Sequence, residues 1–132
     1  MKKPKPIHIS TFWDKCPTGM MGCYFLYSNT KEIIYIGKSR NCIRQRINDH
    51  CFQRFSRYLE DYQIERKQRL RAQTCFFSFI EMCEGDIDLF ERRLIASVKP
   101  IHNLVLYPGY LRKPTTDNHE VLKRRNDCTN NN

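Results

Sequence analysis

Runs of apolar residues predict a β-hairpin near the start of the chain. Residues 23–27 and 33–36 are rich in aromatic and β-branched side chains, and the polar segment 28–31 separates them. Two such runs around a short polar segment are typical of paired antiparallel strands. Residues 74–83 form a third run and predict another strand, whereas the proline-bearing residues 1–20 predict irregular structure.

Apolar residues at helical spacing predict the helical regions. Asn41 can cap a helix whose apolar positions include Ile43, Ile47 and Cys51. The same period continues through Phe52, Phe55, Tyr58, Leu59 and Tyr62. After the turn-forming segment 84–86, a further helix is expected over roughly residues 88–98, because Lys99-Pro100 cannot continue it.

The charge balance favours a polyanionic partner. The 132 residues include 23 Lys and Arg against 14 Asp and Glu, which gives a net charge of +9. Nucleic acid is the commonest partner of such a surface, although solubility alone also accounts for some of the charge. A membrane span needs roughly 18 apolar residues in a row, and the sequence has no such run. The basic N-terminus has no apolar segment behind it, so a secretory signal is not expected.

The seven cysteines predict free thiols. Their number is odd, and no two of them are spaced as a C-x2-C pair, the spacing that structural zinc sites use. We therefore expect a cytoplasmic protein with reduced cysteines, in which Cys23, Cys42, Cys75 and Cys83 are small core residues.

Two tyrosines in the hairpin are candidates for chemistry. With the turn centred between Asn29 and Thr30, Tyr24 and Tyr35 become a direct cross-strand pair, with Cβ atoms about 5 Å apart. Two phenols then lie side by side on one face. An aromatic pair that only packs the sheet is the alternative, and a register slip of one residue would place the two side chains on opposite faces of the sheet.

Glu91 is an acidic residue within an apolar helical stripe. A carboxylate buried there needs a cation or hydrogen bonds, and a divalent metal is one such partner. A capping box, with Asp88 as the N-cap and Glu91 at the third helical position, fits the same spacing without a metal.

Arg46 and His50 are four residues apart and project from one face of a helix. Taken alone, they also fit a solvated basic face. Lys38 follows Gly37 at the end of a predicted strand, where a loop lysine is unremarkable.

Together and in this order, the motifs resemble those of the GIY-YIG nuclease family over roughly residues 21–105. Gly22-Cys23-Tyr24 and Tyr35-Ile36-Gly37-Lys38 are similar to the two halves of the family's name motif. The segment from Glu91 to Asn103 resembles its E-x-x-L-I…K-P-x-x-N segment, particularly as found in the members that act in bacterial excision repair. The middle residue of the first motif, Cys23, stands where isoleucine is usual.

The resemblance implies a compact α/β fold of the α+β sandwich type, with helices flanking a small three-stranded antiparallel sheet. It also implies a metal-dependent DNA endonuclease that hydrolyses phosphodiester bonds and leaves 5′-phosphate and 3′-hydroxyl ends. Residues 1–20 would be an N-terminal extension, 21–113 the nuclease domain and 114–132 a polar, basic C-terminal tail. The sequence does not identify the target DNA, the oligomeric state or the role in repair, restriction or mobile elements.

The resemblance also assigns roles to residues. Glu91 would hold one Mg²⁺ or Mn²⁺ ion, and Arg46 would neutralise the phosphate. Either tyrosine could help to deprotonate the attacking water, which requires a phenol pKa below its usual value of about 10. Lys38, His50 and Asn103 would complete the site. Because the gap between Gly37 and Arg46 is one residue longer than the usual family spacing, Arg44 is a rival for the catalytic arginine.

The basic residues around and after His50 are the predicted DNA-binding set. They are Arg44, Arg54, Arg57, Arg66, Lys67, Arg69 and Arg71. Contacts from such residues to phosphate give affinity without sequence information. A non-catalytic nucleic-acid-binding module that uses the same basic face is the alternative function. Such a module has no need of the buried carboxylate at position 91.

Overall fold

The hairpin predicted from the sequence lies within an antiparallel sheet. The computed structural model describes residues 4–106. Its elements in chain order are β1 (Ile7–His8), a 3-10 turn (Ile9–Thr11), α1 (Phe12–Lys15), β2 (Gly22–Tyr27), β3 (Ile33–Ser39), α2 (Ile43–Cys51), α3 (Asp61–Gln73), β4 (Phe76–Glu81), α4 (Glu84–Val98) and α5 (Ile101–Leu106). The strand order is β1–β4–β2–β3, so β3 is an edge strand beside the central β2.

The predicted α+β architecture is confirmed, with one strand more than expected. The N-terminal strand β1 pairs with β4, with Ile7 opposite Phe77, so residues 1–20 are not irregular throughout. Two residues are too few to give an alternating apolar pattern, which is why the sequence did not reveal this strand.

The register predicted for the hairpin is wrong. Tyr24 lies opposite Gly37 and Leu26 lies opposite Tyr35, so the two tyrosines are diagonal neighbours on one face. Two features cause the difference. The turn is longer than expected, because Lys31 adopts a left-handed conformation (φ 64°), and the pairing shifts between Leu26 and Tyr27. Together the two features change the pairing by two residues, so each side chain stays on the face of the sheet on which it was predicted.

Helices cover both faces of the sheet. One face packs against α1, α2 and α3, and its buried cluster includes Phe12, Leu26, Ile47, Leu70 and Phe77. The other face packs against α4 through Phe25, Tyr27, Ile36 and Ile95. The edge strand β3 contacts α2 of the first layer and α4 of the second, so the two helical layers meet beside this strand.

The helical region after residue 41 differs from the prediction in two ways. Cys42 is the N-cap of α2, and the Ser39 hydroxyl accepts the backbone N–H groups of Asn41 and Cys42, so Asn41 is not the cap. Residues 52–60 do not continue the helix but form an irregular segment. A capping box between Glu60 and Gln63 then starts α3 as a separate helix.

The helix that carries Glu91 starts earlier than predicted. Its N-cap is Cys83, and its first helical residue is Glu84. Asp88 and Glu91 therefore lie inside the helix, and the capping-box alternative is wrong. The predicted stop is confirmed: Lys99 ends α4 in a left-handed conformation (φ 54°), immediately before Pro100.

The cysteines in the described part of the chain are free thiols. Cys23 is a buried core residue as predicted, and Cys42 and Cys75 are half-buried, but Cys83 is exposed. Among residues 4–106, no helix combines the length and apolar character that a membrane span requires. The predicted C-terminal tail, residues 114–132, lies outside the described residues, as does the expected end of the domain at 113.

Candidate active site

Two glycines allow close approaches around β2, the strand that carries Tyr24. Gly22 has a φ of 152°, and a Cβ atom there would lie 2.0 Å from the Ile80 carbonyl oxygen. A Cβ atom on Gly37 would lie 2.2 Å from Cζ of Tyr24. The ring of Tyr24 therefore crosses directly over Gly37 towards the outer edge of β3.

Tyr24, Tyr35 and His50 form a buried group. The tyrosine ring centroids are 6.2 Å apart, and the His50 ring lies 4.9 Å from that of Tyr35. The Tyr24 hydroxyl and His50 Nε2 share a hydrogen bond of 2.8 Å. The structure thus brings together three residues that the sequence singled out, and it places His50 in the interior rather than on a solvated helix face.

Burial sets the protonation states of this group. Desolvation lowers the pKa of His50 well below 6.5, and the nearby charges of Lys67, Arg46 and Arg71 act in the same direction. Desolvation raises the pKa of Tyr24 to about 12, while the charge of Arg46 acts against that rise. At neutral pH the pair is therefore a protonated phenol hydrogen-bonded to a neutral imidazole.

Arg46 and Glu91 both lie near the Tyr24 side chain, because the charges of both residues affect its pKa. Arg46 makes a side-chain hydrogen bond to Tyr24, and the charge of Glu91 raises the tyrosine's pKa. Glu91 itself is only 4% exposed, as its position on the apolar stripe predicted. A carboxylate from α4 and a guanidinium from α2 thus approach one phenol from the two helical layers.

Lys38 belongs to the α4 side of the site. Its Nζ lies 2.5 Å from Asp88 Oδ1 and 3.8 Å from Glu91 Oε1. Arg40 contacts the other oxygen of Asp88, with Nη2 2.5 Å from Oδ2. The sequence reasoning missed both Asp88 and Arg40 as site residues. The spacing of three residues between Asp88 and Glu91 was the available signal, but the same spacing also fits a helix cap.

Asn103 supports the edge strand. Its Oδ1 accepts the Ile36 N–H at 2.7 Å, and its Nδ2 donates to the Ile36 carbonyl at 2.8 Å. The amide therefore pairs with the outer edge of β3 between Tyr35 and Gly37, as a neighbouring strand would. Through these contacts Asn103 fixes the strand that carries both Tyr35 and Lys38.

Arg44 and Arg46 have different surroundings. Two residues correspond to about 200° around a helix, so the two side chains leave α2 on different sides. Arg44 Nη1 donates to the carbonyls of Cys16 and Trp13 at 2.5 and 3.0 Å, and its guanidinium lies 4.8 Å from the Trp13 ring. Arg44 thus holds the N-terminal segment, and its predicted role in DNA binding stays a prediction.

The basic residues after His50 do not form one uniform face. Arg71 donates to the carbonyls of His50 and Gln53 at 2.9 and 2.6 Å and so joins α3 to the end of α2. Arg69 pairs with Glu65, and Arg66 lies over the Tyr62 ring.

The remaining basic residues have different surroundings. Lys67 lies close enough to His50 to lower the pKa of the imidazole. Arg54 is exposed, and Arg57 lies over the Tyr58 ring.

Comparisons with known proteins identify the family of this chain. A family model described as the GIY-YIG catalytic domain matches residues 20–104. UvrABC system protein C of Methylococcus capsulatus is 30% identical over 103 residues, which cover 78% of this chain and 16% of that protein. The same protein of Mycoplasma capricolum is 28% identical over 89 residues, 67% of this chain and 14% of the relative. The chain therefore spans about a sixth of the length of these curated relatives.

A solved structure shares the fold. It is the GIY-YIG N-terminal endonuclease domain of UvrC from Thermotoga maritima, a point mutant bound to its catalytic divalent cation. The similarity has a TM-score of 0.55 at 21% identity and covers 78% of this chain and 98% of that domain. Since the family model covers well over half of the sequence, the chain belongs to the GIY-YIG nuclease family.

Proposed function

We propose that this protein is a divalent-metal-dependent DNA endonuclease that hydrolyses phosphodiester bonds at the site around Tyr24. The observation that carries the proposal is the convergence of a buried carboxylate, Glu91, and a guanidinium, Arg46, on the phenol hydroxyl that is hydrogen-bonded to His50. The net charge of +9 supports DNA as the substrate.

The residues fit one divalent cation with few protein ligands. Glu91 offers a buried carboxylate, and within the described residues no group of three or more His, Cys, Asp or Glu side chains is arranged to enclose a metal. Mg²⁺ commonly binds in this way, through one or two carboxylates while it keeps several waters, and Mn²⁺ shares its preference for oxygen ligands. When bound, the cation would supply Lewis-acid stabilisation of the charge on the phosphate and on the leaving oxygen.

Tyr24 and His50 are the proposed proton-transfer pair. A phenol with a pKa of about 12 cannot by itself take a proton from water at neutral pH. The neutral His50 imidazole can accept the Tyr24 proton across their 2.8 Å hydrogen bond as Tyr24 takes one from the attacking water. This arrangement favours Tyr24 over Tyr35 as the group that contacts the water.

Arg46 is the proposed phosphate ligand. A guanidinium can bind two phosphate oxygens through parallel hydrogen bonds, and its charge persists throughout the physiological pH range. Lys38 adds a second positive charge beside Glu91, and Asn103 keeps the strand of Tyr35 and Lys38 in position. Arg54, Arg57, Arg66, Lys67 and Arg69 would contact neighbouring phosphates.

Incubation with DNA tests the proposal. Supercoiled plasmid, single-stranded and branched DNA would each be incubated with the protein in Mg²⁺, in Mn²⁺ and in excess EDTA. We expect cleavage in the presence of either metal, products with 5′-phosphate and 3′-hydroxyl ends, and no cleavage in EDTA. Binding of all three substrates without cleavage under any of these conditions would instead indicate a non-catalytic binding module.

A further inference from the structure

Lys38 lies between two carboxylates on successive turns of one helix. Its Nζ is 2.5 Å from Asp88 Oδ1 and 3.8 Å from Glu91 Oε1. The two acidic residues are three positions apart on α4 and so lie on neighbouring turns of one face. Of the two, Asp88 is the closer partner of the ammonium group.

Lys38 has little access to solvent. Its side chain is 9% exposed, whereas that of Asp88 is 40% exposed. A buried ammonium group is costly unless an opposite charge or hydrogen bonds compensate it. If Asp88 lost its charge, Glu91 would be the carboxylate that remains within ion-pairing distance of Lys38 among the described residues.

Arg40 holds the Asp88 carboxylate in place. Its Nη2 lies 2.5 Å from Asp88 Oδ2, so each oxygen of Asp88 contacts a different cation. The Arg40 Nε is buried without a hydrogen-bond partner among the described residues, which is a cost that the guanidinium bears in this position. Arg40 therefore holds one carboxylate oxygen of Asp88, while the other oxygen binds Lys38.

From this geometry we propose that Asp88 is a positioning residue, which draws the Lys38 ammonium away from Glu91 and keeps the Glu91 carboxylate available to the divalent cation. A lysine paired tightly with Glu91 would compete with the cation for the same oxygens. Asp88 acts through Lys38 and does not itself touch the substrate. This inference rests on the proposed function, because it concerns the same metal site.

Calorimetric titration with Mn²⁺ alone, without DNA, tests the role of Asp88. The Asp88→Asn variant is expected to bind Mn²⁺ at least about tenfold more weakly than the wild type, since partners of metal ligands commonly contribute tenfold or more to metal affinity. Asp88→Glu keeps the charge and is expected to stay close to the wild-type affinity. If Asp88→Asn does not fold, as judged by thermal unfolding, Asp88→Ala takes its place.

A second substitution separates positioning from other roles. Replacing Lys38 by Met in the Asp88→Asn protein removes the competing ammonium, so the double variant should recover Mn²⁺ affinity to within about threefold of the wild type. Asp86→Asn is the matched control, because Asp86 is an exposed acid on the same helix and forms no ion pair with another described residue. This control should bind Mn²⁺ as the wild type does.

The titrations also separate this inference from the proposed function. Wild-type affinity in Asp88→Asn, or a double variant as weak as the single one, would overturn the positioning role while Glu91 remains the metal ligand. If Glu91→Gln bound Mn²⁺ as tightly as the wild type, the proposed metal site would be wrong and the inference would fail with it.

Discussion

Gly37 lies directly beneath the ring of Tyr24, where a Cβ atom would come within 2.2 Å of the tyrosine Cζ. Gly37, in the second motif, is therefore needed for the ring of Tyr24, in the first motif, to occupy this position. The two motifs are one structural unit because the register of β2 and β3 places Tyr24 opposite Gly37.

Gly37→Ala tests this dependence. The added methyl group must displace the fully buried Tyr24 ring, so we expect the free energy of unfolding to fall by about 1–3 kcal/mol and cleavage to be largely lost. Urea unfolding measures the first effect. Gly85→Ala is the control, because a Cβ at position 85 on α4 meets nothing within 4 Å. Equal stability of the two variants would contradict the close approach.

The hydrogen bond between Tyr24 and His50 predicts that the two tyrosines are not equivalent. Tyr24→Phe keeps the ring but removes the hydroxyl that lies 2.8 Å from His50 Nε2, so we expect a loss of cleavage rate of about 10²–10⁴-fold. Tyr35→Phe should lose less. Single-turnover cleavage rates at saturating Mg²⁺ make the comparison, and a larger loss in Tyr35→Phe would assign the proton transfer to the other tyrosine.

The surroundings of Arg44 and Arg46 predict opposite defects. Arg46→Ala leaves the Tyr24 hydroxyl bonded to His50 and so should lose less stability than Arg44→Ala, but it should lose about 10²–10³-fold in cleavage rate, because phosphate charge in the transition state loses its partner. Arg44→Ala should keep the rate per folded molecule but lose about 1–3 kcal/mol of stability, because it leaves the partly buried Cys16 carbonyl without its donor. The reversed pattern of rate and stability would make Arg44 the phosphate ligand.

The basic residues of α3 predict salt-dependent binding. Arg66, Lys67 and Arg69 would be replaced by Gln, and Arg71 kept, because its side chain joins α3 to α2. Affinity for DNA should fall for every sequence, and the slope of log affinity against log salt should flatten by roughly one unit for each phosphate that the variant no longer binds. If the wild type and the variant bound DNA with equal affinity and equal salt dependence, the DNA would bind to another part of the protein.

The sequence predicted those parts of the fold whose pattern is local. The apolar period of α4 placed Glu91 on a buried stripe, and Lys99-Pro100 marked the end of that helix. The order of motifs was sufficient to identify the family. Each of these features depends on residues close to one another in the chain.

The parts that could not be predicted depend on contacts between distant residues. The register of the hairpin depends on a left-handed conformation at Lys31 and on a shift beside Leu26, neither of which the composition reveals. The packing of α3 against the end of α2 uses Arg71, which donates to the His50 carbonyl from 21 residues further along the chain. Likewise, the pairing of Asp88 with Lys38 becomes visible only once α4 is packed beside β3.

Glu91→Gln provides the most direct test of the proposed mechanism. Cleavage of plasmid DNA by this variant would be measured over a range of Mg²⁺ concentrations, beside Glu84→Gln, which alters an exposed glutamate on the same helix. We predict that Glu91→Gln folds and binds DNA but does not cleave it at any Mg²⁺ concentration, whereas Glu84→Gln cleaves as the wild type does. Cleavage by Glu91→Gln at a rate near that of the wild type would contradict a mechanism that depends on one metal ion held by Glu91.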